Sequence, residues 1–541
     1  MPYTAPIKDQ LLALRALGFD FSLLDEATVE AILDEANKLA SNVLAPLNWT
    51  GDQEGLKRAD DGSIKMPKGF KDAYQQYRES GWNAVPFSEE YGGQNLPWAM
   101  AFPIQEMWQA ANMAFGLCPL LNQGAVEAIL HHGSDEQKEI YLPKLISGEW
   151  TGTMNLTEPQ AGSDLAAVKS RAEPQADGSY KISGQKIFIT YGEHDMADNI
   201  IHLVLARTPN APEGVKGISL FIVPKILEDG SRNDLVCSGI EHKLGIHASP
   251  TCTMQFGDKG GATGYLIGEE NKGLIYMFTM MNNARLSVGL QGVAISDRAY
   301  QHAFAFAKER VQGGGKTIDQ HTDVQRMLKT MNVLTEAGRA LTYEAAIAFD
   351  AANAGDKTAQ SKVEFLTPIV KAFGTDNAIE VTSLGIQVHG GMGYVEETGA
   401  AQYLRDARIL PIYEGTNGIQ AIDLVGRKTL MNDGAYAKTY IEELKSHAAD
   451  TLVSYIKRLE ETLEHVLSLK ENPDKAQFIA HAYLNQFALV AGGVLLKRLA
   501  ETAASDDDKD FAHEKMASFD FYCDMILPRA ESFARQILAI K

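Results

Sequence analysis

The sequence predicts a multidomain α+β protein, mostly α-helical, in four parts: an N-terminal helical domain (residues 1–150), a middle antiparallel β domain (151–267), a helical bundle (268–432) and a helical extension (433–541). Three observations predict it. Apolar residues recur at helical spacing through the first part. β-rich runs separated by turn residues, with no helical pattern between them, fill the second. Long amphipathic stretches return from Gly273 onward.

In the first part, Val29, Ile32, Leu33, Ala36 and Leu39 define one face of a helix over Glu26–Leu44, with Asp25 placed to cap its start and Pro46 marking its end. Ser134 and Gln137 form a capping-box pair opening a further helix. A Gly/Pro-rich loop, SEEYGGQNLP, occupies 88–97. The β domain is read from YKISGQKIFIT (180–190), preceded by the turn pair Asp177-Gly178, and from IIHLVLAR (200–207) and GISLFIVPK (217–225). The bundle is read from Gly273–Arg310, Asp323–Ala352 and Lys357–His389, long helices on short connections that pack antiparallel. Beyond a polar break at Asn432–Gly434, three more helical stretches follow, at about Ala437–Leu469, Lys475–Ala504 and Asp508–Ile540.

Composition narrows the function. Over 541 residues, 45% are hydrophobic and 22% charged, as in a soluble globular protein, and the formal net charge is −20. Such a field repels phosphate backbones and argues against nucleic acid as a partner. Four scattered cysteines, without CxxC or metal spacing, read as reduced core residues of a cytoplasmic protein. The opening MPYTAPIKDQLLAL has early charge and no apolar segment of signal-peptide type, and the apolar run Phe487–Leu496 is too short to span a bilayer, so no membrane partner is expected.

Several motifs tempt a functional reading. Gly313-Gly314-Gly315-Lys316-Thr317 lacks the leading glycine of a phosphate loop, has Arg310 there instead, and reads better as a flexible helix connection. GGMGY (390–394) lacks the third glycine of a dinucleotide fingerprint; it reads as a C-cap or as a place where backbone approaches a pyrophosphate. NLTEPQAGSDLAA (155–167) is a polar loop whose N–H and hydroxyl groups, those of Thr157 and Ser163 among them, suit a flat heteroaromatic ring. KIFIT (186–190) is a buried strand or a strand offering Phe188 as a stacking face and Thr190 as a donor. His302 and His389 read as packed side chains. No HExxH, GxSxG or histidine cluster is present, and no metal is expected.

Glu414 stands apart. In LPIYEGTNGIQAIDLVGRK (410–428) it precedes a helix that Thr416 or Asn417 caps, with Ile419, Ile422 and Val425 turned inward. The helix N-terminus lowers the pKa of a nearby carboxylate, whereas Ile409, Leu410, Ile412 and Tyr413 raise it by excluding water. Sequence leaves that contest open, and a contest of this kind is expected of a tuned acid–base group.

Taken together, these stretches resemble one family, the FAD-dependent acyl-CoA dehydrogenases, over roughly residues 35–430. TEPQAGSD (157–164) is similar to the family's first signature and KIFIT to its flavin-stacking strand; QVHGGMGY (387–394) with YLRDAR (403–408) is similar to its second signature; YEGT (413–416) holds the family's catalytic glutamate, Glu414, 27 residues after Gln387. KIFITYGEHD, GIEHKLGIHASPTC, PIYEGTNGIQAIDLVGRK and the extension resemble a subgroup of longer chains whose substrates include 3-methylmercaptopropionyl-CoA.

The resemblance implies a middle β-barrel, a C-terminal four-helix bundle, FAD as cofactor and a homo-oligomer, at least a dimer. It implies a flavin between the β domain and the bundle, contacted by Leu156, Thr157, Gly162, Ser163, Phe188, Thr190 and Thr416, with Arg310, Gln312, Gln387 and Gly391 on the pyrophosphate side across a subunit interface. Ser163, Arg285 and Tyr413 are implied to meet the substrate. The implied reaction is α,β-dehydrogenation of an acyl-CoA, with Glu414 taking the α-proton, the β-hydride leaving to the flavin, and the electrons passing to an electron-transferring flavoprotein. Two alternatives are an acyl-CoA oxidase, which delivers electrons to oxygen, and a non-catalytic flavin-containing relative; the intact YEGT and the −20 charge weigh against the second.

Overall fold

The protein is described by a computed structural model over residues 3–541, apart from the side chains of residues 279, 280 and 282. Helices α1 (Ile7–Leu17), α2 (Glu26–Leu39) and α3 (Ala45–Glu54) lead to a small hairpin, β1 (Lys57–Arg58) and β2 (Ile64–Lys65). Then come α4 (Phe70–Glu79), α5 (Trp98–Ala111), α6 (Met113–His132) and α7 (Asp135–Ile146). Eight strands follow: β3 (Trp150–Asn155), β4 (Arg171–Pro174), β5 (Tyr180–Thr190), β6 (Asn199–Ala206), β7 (Ser219–Pro224), β8 (Leu235–Ile240), β9 (Thr251–Phe256) and β10 (Ala262–Leu266). The long helices α8 (Gly273–Glu309), α9 (Thr322–Asn353) and α10 (Lys357–His389) precede the short α11 (Ala400–Ala407) and α12 (Asn417–Gly426). The extension holds α13 (Ala435–Ser446), α14 (Asp450–Ser468), α15 (Pro473–Phe478), α16 (Ala480–Ala503), α17 (Lys509–Met525) and α18 (Arg529–Leu538).

Two compact units are present, and neither is continuous in sequence. The helical unit gathers Met1–Ser41, Trp98–Ala111 and Arg285–Lys541; the β-containing unit gathers Asn42–Pro97 and Asn112–Ala284.

In the β-containing unit the strand order is β3-β6-β7-β10-β5-β9-β8, with β4 added beside β5. Strands β3 and β8 end the series unpaired with each other, so the sheet is open rather than the barrel the resemblance implies. One pair, β3 with β6, is parallel and departs from the antiparallel expectation. A parallel neighbour requires a long crossover, and here the chain forms β4 and β5 before β6 returns beside β3. Helix α6 packs on β3, so close that a Cβ on Gly152 would lie 2.2 Å from Ala125 Cβ. The apolar core includes Ile182, Val204, Phe221, Val223, Met254 and Phe256. Helix α6 has the length and hydropathy to span a bilayer, more so than Phe487–Leu496, but it is packed inside this unit.

In the helical unit every residue of α5 is buried, and α9, α10 and α16 carry long buried faces. Its interior also holds an ionic cluster: Arg339 donates to Glu106 Oε1 from Nε at 2.9 Å and to Asp297 from a terminal nitrogen at 3.2 Å, while Tyr343 donates to Glu106 Oε2 at 2.7 Å. Asp25 caps α2 as its sequence implies, but Pro46 does not stop the chain's helicity. It sits in the first turn of α3, where a missing N–H leaves no hydrogen bond broken. The three stretches read in the extension are six helices. Breaks fall after Ser446, at Ile479 and before Arg529; Pro473 opens α15, and Pro528 interrupts the ladder ahead of α18.

Candidate active site

Glu414 lies on the turn between α11 and α12. Its φ is +55° and that of Gly415 is +86°, so two successive residues occupy the left-handed region, which disfavours any residue with a Cβ. Three buried side chains hold this turn by its carbonyls. Gln420 Nε2 donates to Glu414 O at 3.1 Å and Arg285 Nε reaches the same oxygen at 3.4 Å; Lys371 Nζ donates to Gly415 O at 2.8 Å. Thr416 caps α12, accepting from Ile419 N–H at 3.2 Å. The half-buried carboxyl of Glu414 has a raised pKa. Loss of water is the main cause, and the Arg285 and Lys371 cations oppose it. Exclusion of water therefore wins the contest the sequence leaves open.

Tyr413 OH donates to Gln291 Oε1, and Gln291 Nε2 donates in turn to Gln109 Oε1 at 3.1 Å, so the residue before Glu414 is fixed by a chain of amides. Arg285, buried on α8, has its Nε on the Glu414 backbone. Between α8 and α9, Arg310 and Gln312 are exposed at the base of a glycine hairpin closed by backbone hydrogen bonds. Gln312 N–H donates to Lys316 O at 3.0 Å and Ile318 N–H to Arg310 O at 2.8 Å, with Gly313, Gly314 and Gly315 all left-handed. Gln387 lies in the last turn of α10 with its carbonyl accepting from Gly390 N–H, and Gly391 is exposed with nothing within 4 Å of where a Cβ would stand.

In the β-containing unit, TEPQAGSD and KIFIT are tied together. Lys186 Nζ donates to Glu158 Oε1 at 2.8 Å and to Leu156 O at 3.1 Å, and Ile187 N–H donates to Thr157 O at 2.9 Å. Glu158 also accepts from Ser170 N–H, Ser170 Oγ and Lys169 N–H at 3.0, 2.6 and 2.8 Å. Burial raises the Glu158 carboxyl, but Lys186 and these donors outweigh it and bring it down to about 2. Burial lowers Lys186 to about 8 against the attraction of Glu158. With its partner Lys186 fixed, β5 shifts register between Lys186 and Ile189, and Phe188 is extruded at φ +60° with 57% of its surface exposed. Leu156, Thr157 and Thr190 are half-buried; Gly162 and Ser163 are exposed.

Comparison with known proteins agrees along the whole length. Family profiles described as the acyl-CoA dehydrogenase N-terminal, middle and C-terminal domains match residues 26–149, 153–259 and 271–429, and one described as acetyl-CoA dehydrogenase C-terminal like matches 430–541. The chain is 46% identical to the 3-methylmercaptopropionyl-CoA dehydrogenase of Ruegeria pomeroyi, over 97% of this chain and 96% of that one. The chain belongs to the acyl-CoA dehydrogenase family. A butyryl-CoA dehydrogenase of Syntrophomonas wolfei is 36% identical over 92% of this chain and 89% of its own. The crystal structure of Caenorhabditis elegans ACDH-11 in complex with C11-CoA shares the fold, with a TM-score of 0.82 at 22% identity over 97% of this chain and 92% of that one.

As an acyl-CoA dehydrogenase the protein is an FAD-dependent enzyme. Within the β-containing unit the residues fit that cofactor: an aromatic face is turned outward by a strained bulge at Phe188, and Gly162 is exposed with nothing within 4 Å of where a Cβ would stand. Sequence reasoning passed over Lys186, Lys371, Gln420 and Gln291. Lys371 carried a signal, a lone cation inside the apolar run LTPIVKAFG (366–374).

Proposed function

We propose that this acyl-CoA dehydrogenase oxidises 3-methylmercaptopropionyl-CoA or another short- to medium-chain acyl-CoA to the trans-2-enoyl-CoA, with Glu414 as the catalytic base. The observation that carries this reading is a carboxyl with raised proton affinity on a strained turn whose two carbonyls are clamped by Gln420, Arg285 and Lys371.

The α-hydrogen of a thioester is a weak acid, so a base with a raised pKa at a fixed site is better matched to it than a solvated carboxylate. Glu414 takes that hydrogen as a proton while the β-hydrogen departs with its electron pair. Bound FAD supplies the hydride acceptor. The Glu414 N–H donates to the thioester carbonyl and stabilises the negative charge that develops there. Clamping the carbonyls of residues 414 and 415 fixes the direction of both the N–H and the side chain, so little reorganisation accompanies proton transfer.

In this reading Leu156, Thr157, Gly162, Ser163, Phe188, Thr190 and Thr416 hold the flavin. Exposed Arg310, Gln312, Gln387 and Gly391 meet the pyrophosphate part of FAD at the interface of a homodimer. Ser163, Arg285 and Tyr413 contact the acyl-CoA. Electrons leave to an electron-transferring flavoprotein, and the enzyme works in the cytoplasm. The four cysteines are free thiols, in keeping with a reducing compartment.

The test is Glu414→Gln. FAD content is expected to stay at the wild-type level, while anaerobic bleaching of the flavin by a panel of acyl-CoAs falls by at least about 10³-fold. Bleaching at the wild-type rate in that variant removes Glu414 from the reaction. The same panel with the wild-type protein ranks the acyl groups.

A further inference from the structure

Lys371 is fully buried on α10, in a stretch of the helix where Leu366, Ile369, Val370, Ala372 and Phe373 are buried as well. An ammonium in such surroundings is strongly disfavoured unless its donors and its charge are both answered. The donors are answered by neutral groups: Nζ donates to Gly415 O and to Asn417 Oδ1, each at 2.8 Å. Asn417 completes the clasp, donating to Asp376 Oδ1 at 2.7 Å and to Thr375 Oγ1 at 3.0 Å. Residues 371 and 375 lie one turn apart on the same face of α10 and Asp376 follows beside them, so this stretch of α10 grips the start of α12 directly behind Glu414.

A neutral amide would satisfy both acceptors without the burial penalty of a charge. The charge is answered only over a distance, by Asp376 and Glu414. Within the helical unit the charged groups around Glu414 are Arg285 from α8, Lys371 and Asp376 from α10, and Asp423 on α12 with Arg427 just after it, which act on it through Arg285; Arg408 and His481 act on Asp376. Lys371 and Arg285 are the two cations among them that face Glu414 itself. Burial lowers Lys371 to about 7, so its charge is present on the acid side of neutrality.

We propose that Lys371 is a positioning residue for the base: its ammonium holds the Glu414–Gly415 turn to α10, and its charge favours the ionised form of Glu414 that accepts the substrate proton. This rests on Glu414 being that base, which the Glu414→Gln experiment tests separately.

The experiment measures kcat and KM against pH for FAD-loaded enzyme bearing Lys371→Gln, Lys371→Met or Lys371→Arg, with α-deuterated acyl-CoA used to confirm that proton abstraction is being read. In the two neutral variants FAD content and KM are expected to stay within about twofold and kcat to fall about tenfold or more. Their acid limb, the rise in rate as Glu414 ionises, is expected to move to higher pH by about one unit, because removing a cation raises a carboxyl pKa. Lys371→Arg keeps the charge and leaves the limb in place. An unmoved limb in FAD-loaded Lys371→Gln or Lys371→Met overturns the proposal, whatever happens to kcat. Wild-type bleaching by Glu414→Gln, in contrast, overturns the assignment of the base.

Discussion

Lys186 Nζ lies 2.8 Å from Glu158 Oε1, with the lysine side chain fully buried and the glutamate 3% exposed. The pair joins the loop of the family's first signature to the strand that presents Phe188, so the two elements assigned to the flavin are locked to each other before any ligand arrives.

Breaking that lock from one side leaves an unpaired buried charge. Lys186→Met is expected to destabilise the fold by about 3–5 kcal/mol, whereas adding Glu158→Gln recovers a large part of the loss because no charge then remains buried. Chemical denaturation of the two variants checks both statements.

Acid should release the same contact. Glu158 lies at about 2 when folded and near the ordinary carboxylate value when unfolded. Its contribution to stability is therefore complete above about pH 4.5 and is lost as the pH falls from there toward 2. The difference in unfolding free energy between wild type and Glu158→Gln, measured across that range, is expected to shrink on acidification.

Phe188 is exposed and left-handed, so its ring contributes little to the fold while its backbone is strained. Phe188→Gly is expected to leave the apoprotein as stable as wild type or up to about 1 kcal/mol more stable, and to weaken FAD binding. Thermal unfolding of apoprotein and flavin titration by fluorescence read the two effects independently.

Gly415 has φ +86°, and a Cβ there would come 2.8 Å from Gln420 Nε2. Gly415→Ala is expected to push Gln420 off the Glu414 carbonyl and reduce kcat by about tenfold or more with KM little changed. Steady-state kinetics with FAD content held equal provides the check.

How far the sequence reached varies with the physical origin of each feature. Helix α10 is found at Lys357–His389 as read, because its apolar stripe runs unbroken and Asp356 caps it by accepting from Thr358 and Ala359 N–H. The break between α13 and α14 was hidden because helical spacing continues on both sides of residues 447–449. The opening of the sheet and the parallel β3–β6 pair depend on which strands find each other, and alternation within a strand carries no such information. The Thr416 cap that follows Glu414 was legible from local sequence, yet the clamp on the turn was not: Lys371 and Asn417 meet across 46 residues, and only the folded chain brings them together.

Helix α5 is buried along its whole length, and its Glu106 is paired with Arg339 from α9, 233 residues further on. During synthesis this apolar segment leaves the ribosome long before the residues that will cover it exist. For the interval in which the next two hundred or so residues are being made, at roughly 5–20 residues per second, nascent α5 waits without α9 and is a natural client for a chaperone. Chains that terminate before α9 expose it permanently and are expected to aggregate.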